Sequence, residues 1–246
     1  MQAMRRVIAA TDFSRASAAA VERAVLVAAA LWAASLTTTL PSRAVGAPAE
    51  LALPTARLAG AASLEATLAQ RRSLRSFAAT PLTAAQAGQL LWAAQGISDA
   101  QGRRTAPSAG ASYPLVLYLV AGRVEGIARG VHRYQPQGHR LMAVAAGDAV
   151  VAVAAAARNQ AWLGDAPALI VIAAQPGRTV ARYGARADRY VAIEAGAAAQ
   201  NLLLQAVALG LGGTLVGAFD DMALRSAVPL ADAEQALAIV AVGHGR

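Results

Sequence analysis

Arg71-Arg72-Ser73-Leu74-Arg75-Ser76-Phe77 places three guanidinium groups and two hydroxyls within seven residues, just behind a short amphipathic stretch. Arginine forks match the oxygens of a phosphate in a bidentate way, and hydroxyls with backbone N–H groups supply the remaining donors. Taken alone, the run reads either as a phosphate-holding segment or as a solvated basic turn.

The flanking sequence gives this run a setting. Ser63 can cap a helix that reaches Arg71, and Thr83 with Gln86 forms a capping box for a second helix. In that helix Ala87, Leu90, Leu91 and Ala94 share one face, and Gly96 closes it. A polar, glycine-bearing loop follows from Ile97 to Pro114, then a strand over Leu115–Ala121. Val131–Tyr134 and Arg140–Val144, joined by a Pro/Gly turn, predict a hairpin. A helix is expected over about Asp148–Asn159, a fully buried strand over Ala168–Ala174, and the longest helix over about Thr179–Leu209. Strands at Thr214–Ala218 and Ala236–Val242 flank a short helix at Asp221–Ala227. Interleaved helices and strands with hairpin pairs predict a mixed sheet with helices packed on it.

Composition narrows the chemistry. At 246 residues and 57% hydrophobic content the chain can bury a large core. The net charge of +8 comes with 22 basic residues, all of them Arg, scattered and without interleaved aromatics. A nucleic-acid groove is therefore not expected. The chain has no Cys and no Lys, which removes thiol nucleophiles, thiolate metal sites, Schiff bases and a phosphate-loop lysine. His132, His139 and His244 lack metal-ligand spacing, so no metal is expected and each reads as a surface or hydrogen-bonded residue. Such a chain would borrow its chemistry from a bound cofactor.

Residues 1–60 differ from the rest and read as an N-terminal extension, with the main domain over 61–246. Ala24–Ser35 is an apolar run too short to span a bilayer comfortably. It reads as a signal-peptide core with small residues near Ala44–Ala47, or as an ordinary surface helix; Asp12 and Glu22 are unusual for a leader. The cytoplasm is the favoured location, export is the alternative, and membrane association is expected only if the apolar run is retained. Thr37–Pro54 reads as a linker. Arg6–Ser14 resembles the opening strand and turn of a universal stress protein over about two dozen residues, and no function is read from it.

Four segments point one way: the arginine run, the loop Arg104–Pro114 with Pro107-Ser108-Ala109-Gly110, the helix pieces Glu194-Ala195-Gly196 and Gln200-Asn201-Leu202, and Val216-Gly217-Ala218-Phe219-Asp220-Asp221. In that order, over about Ser63–Arg246, the chain resembles the flavin-dependent nitroreductases, and more narrowly the branch that includes the azoline-oxidising dehydrogenases. The resemblance implies an α+β fold with a mixed, mainly antiparallel sheet flanked by helices, and a homodimer with FMN at the subunit interface. It assigns Arg71, Arg72, Ser73 and Arg75 to the FMN phosphate and ribityl chain. Pro107, Ser108, Ala109 and Gly110 would approach the flavin from the partner subunit, and Gly217 and Ala218 would place amides near flavin N5. Arg246 is a further phosphate candidate. Arg182-Tyr183 stands where azoline-oxidising relatives carry Lys-Tyr; an Arg is a poor general base, which leaves Tyr183 and Arg182 as pocket candidates.

Gln200 and Asn201 read equally as a polar stripe bonded to nearby loops, and Arg178, Arg182, Arg186 and Arg189 as a solvated face. The implied function is an FMN-dependent oxidoreductase passing hydride from NAD(P)H through flavin N5 to a small electron-poor acceptor, nitroaromatic or quinone. A peptide or natural-product tailoring dehydrogenase and a non-catalytic flavin-binding protein are the alternatives.

Overall fold

The computed structural model describes residues 50–158 and 160–246. The apolar run Ala24–Ser35, the segment Arg6–Ser14 and the linker as far as residue 49 lie outside the described residues.

Two strands form the spine: β3 (Leu115–Ala121) and β7 (Ala168–Ala174), both buried along their whole length. Such continuous apolar runs fit strands covered on both faces. They pair antiparallel, with Leu115 opposite Ala174 and Ala121 opposite Ala168. The other strands are β1 (Glu50–Ala52), β5 (Gly130–Gln135), β6 (Arg140–Ala146), β8 (Gly212–Val216) and β9 (Gln235–Gly243). They complete a seven-stranded sheet of order β1-β6-β5-β3-β7-β9-β8, in which every pairing is antiparallel. A separate two-residue parallel ladder joins β2 (Leu82–Thr83) to β4 (Val124–Glu125). The α+β class and mainly antiparallel sheet are as the sequence implied.

Alternation across the strands sends side chains to two cores. Leu115, Leu117, Leu119, Ile170 and Ile172 face the helices α2 (Ala84–Gln95) and α5 (Ala187–Ala208). Val116, Tyr118, Val120, Leu169 and Val171 face α3 (Val150–Ala156) and α6 (Asp221–Ala227) on the other side. The capping box on α2 forms as expected, with Thr83 Oγ1 accepting from Gln86 N at 3.1 Å and Gln86 Oε1 accepting from Thr83 N at 2.9 Å. Ala87, Leu90, Leu91 and Ala94 are all fully buried.

Three expectations are corrected. The long helix breaks into α4 (Gly177–Tyr183), a short 3-10 turn (Gly184–Arg186) and α5. Gly184 adopts φ +53 and its N–H closes α4 on the Val180 carbonyl. A residue without Cβ enters that conformation cheaply and stops a helix there. The helix expected over Asp148–Asn159 shrinks to α3, because Ala157 instead pairs with Phe219. The last part of the linker reading also fails: Glu50–Ala52 pairs with β6. A three-residue edge strand takes its hydrogen bonds from a distant hairpin, which local composition does not announce.

His139 fastens this edge. Its carbonyl accepts from Leu53 N at 3.0 Å, and its Nδ1 meets Tyr134 Oη at 2.8 Å. Burial lowers its pKa from 6.5. The neutral ring is thus favoured in the fold, and below pH 6.5 the unfolded chain binds the extra proton first. We expect thermal stability to hold from pH 8 to 7 and to fall as pH drops below about 6.5, by at most about 1.4 kcal/mol per pH unit from this group. Melting curves of the native chain and of His139→Gln across that range check it; the variant should be flatter.

Candidate functional site

Helix α1 (Leu64–Gln70) is capped by Ser63, whose Oγ accepts from Ala66 N, and it ends where Arg71 N bonds the Thr67 carbonyl at 2.9 Å. The chain then runs extended beside the edge strand β8. Ser73 pairs in parallel with Gly213, Leu74 N donates to the Gly213 carbonyl at 3.1 Å, and Thr214 Oγ1 donates to the Leu74 carbonyl at 2.6 Å. Phe77 is fully buried and pairs with Gly245. The backbone is thus fixed by its apolar residues and the sheet, while Ser73 and Arg75 stay exposed and Arg71 half-buried. Arg72 curls back, its Nη1 donating to the carbonyls of Ala69 at 3.0 Å and Arg71 at 2.8 Å.

The chain's last residue joins this segment. Arg246 N bonds the Ser76 carbonyl, its Nε donates to the Phe77 carbonyl at 2.7 Å, and its Nη2 pairs with Asp165 at 3.3 Å. Arg75 lies with its guanidinium 6.0 Å from the Trp162 ring centroid. Among the described residues neither Arg71 nor Arg75 is paired with a carboxylate, so both remain available to an anion.

The loop Pro107–Gly110 is built elsewhere, against α4 and α5. Ala109 N donates to Glu194 Oε1 at 2.8 Å, and Glu194 is almost wholly buried. Tyr113 N bonds Ser108 Oγ at 2.9 Å, and Ser112 Oγ donates to the Ala109 carbonyl at 2.7 Å. Arg178 and Arg182, one turn apart on α4, donate to the carbonyls of Tyr113 at 3.0 Å and Gly110 at 3.2 Å. Gly110 adopts φ +57, and a Cβ there would lie 2.8 Å from Arg182 Nη1 and from Tyr183 Oη, side-chain ends that would have to shift. Tyr183 packs edge-on against Tyr190 with ring centroids 4.8 Å apart.

Gly217 and Ala218 follow β8 and are exposed, and a Cβ on Gly217 would meet nothing within 4 Å. The Ala218 carbonyl accepts from Arg158 N at 3.1 Å, while Asp220 caps α6 through Ala223 N at 2.9 Å. Four residues of strand, about 13 Å, separate Gly217 from Gly213.

The structure therefore joins Arg246 to the end of the arginine segment, at Ser76 and Phe77, and separately unites Pro107–Gly110 with Arg182 and Tyr183. Among the described residues no hydrogen bond or ion pair joins the two groups within one chain. Asn201 takes the loop-bonding role, donating to the Thr105 carbonyl at 3.1 Å, whereas Gln200 is exposed. Arg178, Arg182, Arg186 and Arg189 are all exposed, as the solvated-face reading has it; Arg178 and Arg182 in addition bond carbonyls of the loop. Glu194 carried no assigned role in the sequence; its signal was a carboxylate set inside an apolar helix. Glu194→Ala would leave the Ala109 amide without its acceptor, at a cost of about 1–3 kcal/mol. We expect at least about tenfold faster hydrogen exchange at that amide with the sheet unchanged, measured by exchange mass spectrometry.

Comparison with known proteins bears on this arrangement. A family model described as the nitroreductase family matches residues 68–244. A Methanocaldococcus jannaschii protein provisionally named a nitroreductase is 39% identical over 177 residues, covering 72% of this chain and 88% of the relative. Among solved structures, a protein of Ralstonia eutropha JMP134, also provisionally named a nitroreductase, is 28% identical with a TM-score of 0.69 and covers 81% of this chain and 94% of its own. The NADPH:FMN oxidoreductase of Vibrio harveyi, solved with NAD+, shares the fold at 20% identity and a TM-score of 0.54, covering 74% and 68%.

Proposed function

The chain belongs to the nitroreductase family, and from that membership we propose that it is an FMN-dependent oxidoreductase that draws reducing equivalents from NAD(P)H and delivers them to an electron-poor acceptor, nitroaromatic or quinone. The observation that carries this reading is the arginine segment: a backbone fixed along β8 that leaves Arg71 and Arg75 without carboxylate partners and has Arg246 bonded to its far end. A phosphate-bearing cofactor fits that donor set. Bound FMN supplies the hydride chemistry, which the side chains here do not.

The residues of this chain would bind, orient and leave room. Arg71, Arg75 and Ser73 would hold the phosphate, while Arg246, paired with Asp165, would tie down the end of the segment. Gly217 and Ala218 offer amides at an open surface where no side chain obstructs approach. Loop 107–110, braced by Glu194 and Arg182, makes no hydrogen bond to the arginine segment of its own chain among the described residues, and a second copy would supply it.

Arg182 speaks against proton abstraction of the azoline-oxidising kind. A guanidinium is a poor general base, and this one donates to the Gly110 carbonyl, so it acts as a brace. The test is direct: the purified protein should take up FMN, be bleached by NADH or NADPH, and regain its yellow colour with a nitrofuran or a naphthoquinone. A protein that takes up no FMN, or whose flavin neither nicotinamide reduces, contradicts the proposal.

A further inference from the structure

A second basic site is built on Arg104 and Arg178, both of which contact Tyr113. A cavity of about 140 Å³ is lined by Gln95, Arg104, Arg133, Tyr134, Gln135 and Arg178, among others. Water occupies about 30 Å³ per molecule in the liquid, so there is room for one tetrahedral or planar oxyanion with water beside it.

The charges in this cavity are unbalanced. Arg133 is neutralised by the buried Glu234 at 2.8 Å. Arg104 and Arg178 have no carboxylate partner among the described residues. Arg104 gives one Nη1 bond to Gln95 Oε1 at 2.8 Å, and its guanidinium lies 4.7 Å from the Tyr113 ring centroid. Arg178 spends a single bond, on the Tyr113 carbonyl. Each guanidinium carries five donors, so most of them face the cavity region or solvent unspent. Burial lowers the pKa of Arg104; Tyr113 and Tyr134 oppose that effect and the positive charge of Arg178 adds to it. A partly buried guanidinium with a second, exposed one beside the same tyrosine is an arrangement that an anion relieves.

Their placement is fixed rather than fortuitous. Arg104 closes a small hairpin, pairing with Ile97, while Thr105 N bonds the Gly96 carbonyl at 3.0 Å. Arg178 sits in the first turn of α4, fixed where Gln175 N bonds the Pro114 carbonyl at 2.8 Å. Both side chains converge on Tyr113, one on its ring and one on its carbonyl.

We propose that Arg104 and Arg178 form a binding site for the carboxylate or phosphate group of a small ligand, separate from the arginine segment at residues 71–75. An anion bridging the two guanidinium groups would also fix Tyr113, and through it the end of the loop that carries Ser108 and Gly110.

The test is isothermal titration of Arg71→Ala/Arg75→Ala protein, in which the other oxyanion site is removed, with inorganic phosphate, acetate and chloride at matched ionic strength. The native chain saturated with FMN is titrated in parallel, so that failure of the flavin reading leaves the first arm intact. One saturable site for phosphate or acetate beyond chloride is expected, weakened at least tenfold by Arg178→Gln and by Arg104→Gln and unchanged by Arg129→Gln. Arg178 is exposed, so its variant stays interpretable if the Arg104 variant fails to fold. Tighter binding of phosphate assigns a phosphoryl ligand, and tighter binding of acetate assigns a carboxylate. No binding beyond chloride, or binding indifferent to Arg178→Gln, overturns the proposal.

Discussion

Replacing Arg71 and Arg75 together by Ala is expected to weaken FMN binding by about 10²–10⁴-fold while leaving the apoprotein folded. Hydrogen bonds to charged groups contribute about 1.5–3 kcal/mol each, so losing two removes about 3–6 kcal/mol of binding free energy. The fold should tolerate the change because neither guanidinium is paired with a carboxylate among the described residues. The segment is fixed instead by Leu74 N on Gly213, by Thr214 on the Leu74 carbonyl and by buried Phe77. Apoprotein stability should shift by less than about 1 kcal/mol. Flavin titration and thermal melting of the same samples separate the two effects. Arg72→Ala should matter less, since that side chain is turned back on α1.

The largest expected effect on stability lies away from the site, at Glu234. Its side chain is wholly buried and its four partners surround it: Arg133 at 2.8 Å and Gln175 at 3.0 Å on one oxygen, Tyr118 and Ala231 N on the other. Burial, with the adjoining carboxylate second, raises the Tyr118 pKa and keeps its hydroxyl protonated as a donor. Glu234→Ala would strand Arg133, whose side chain is only 25% exposed, and remove the acceptor from three further donors, the buried Tyr118 hydroxyl among them. Breaking a buried pair from one side costs about 3–5 kcal/mol, a large part of the stability of a domain. Urea denaturation should show this as a fall in midpoint. Glu234→Gln, which keeps the size and part of the bonding, should lose less.

What could be read in the sequence follows from how local each signal is. The capping box on α2 and the unbroken apolar runs of β3 and β7 are written within a few residues of themselves, and all form where expected. Gly184 also carried its signal openly, yet the surrounding apolar periodicity suggested one continuous helix. The pairing of Glu50–Ala52 with β6 depends on a hairpin nearly a hundred positions away, and nothing in three residues specifies it.

The site divides in the same way. The type and order of the arginine run, the small-residue loop and the Gly217 turn were legible because each is a short string of unusual residues. Their bracing was not. Glu194 lies 85 positions from Ala109, and Arg178 and Arg182 lie 65 and 72 positions from the carbonyls they hold. On a helical wheel those arginines are indistinguishable from Arg186 and Arg189, equally exposed and without a hydrogen bond to the loop. Arg104 was visible only as the start of a loop; its stacking on Tyr113 requires the loop to double back.

The decisive measurement is a side-by-side titration of the native protein with FMN and with riboflavin, which differ only in the phosphate. If the segment from Arg71 to Arg75 holds that phosphate, FMN should bind with one equivalent per chain and at least about 100-fold more tightly than riboflavin. Equal affinity for the two flavins, or binding of neither, would contradict it.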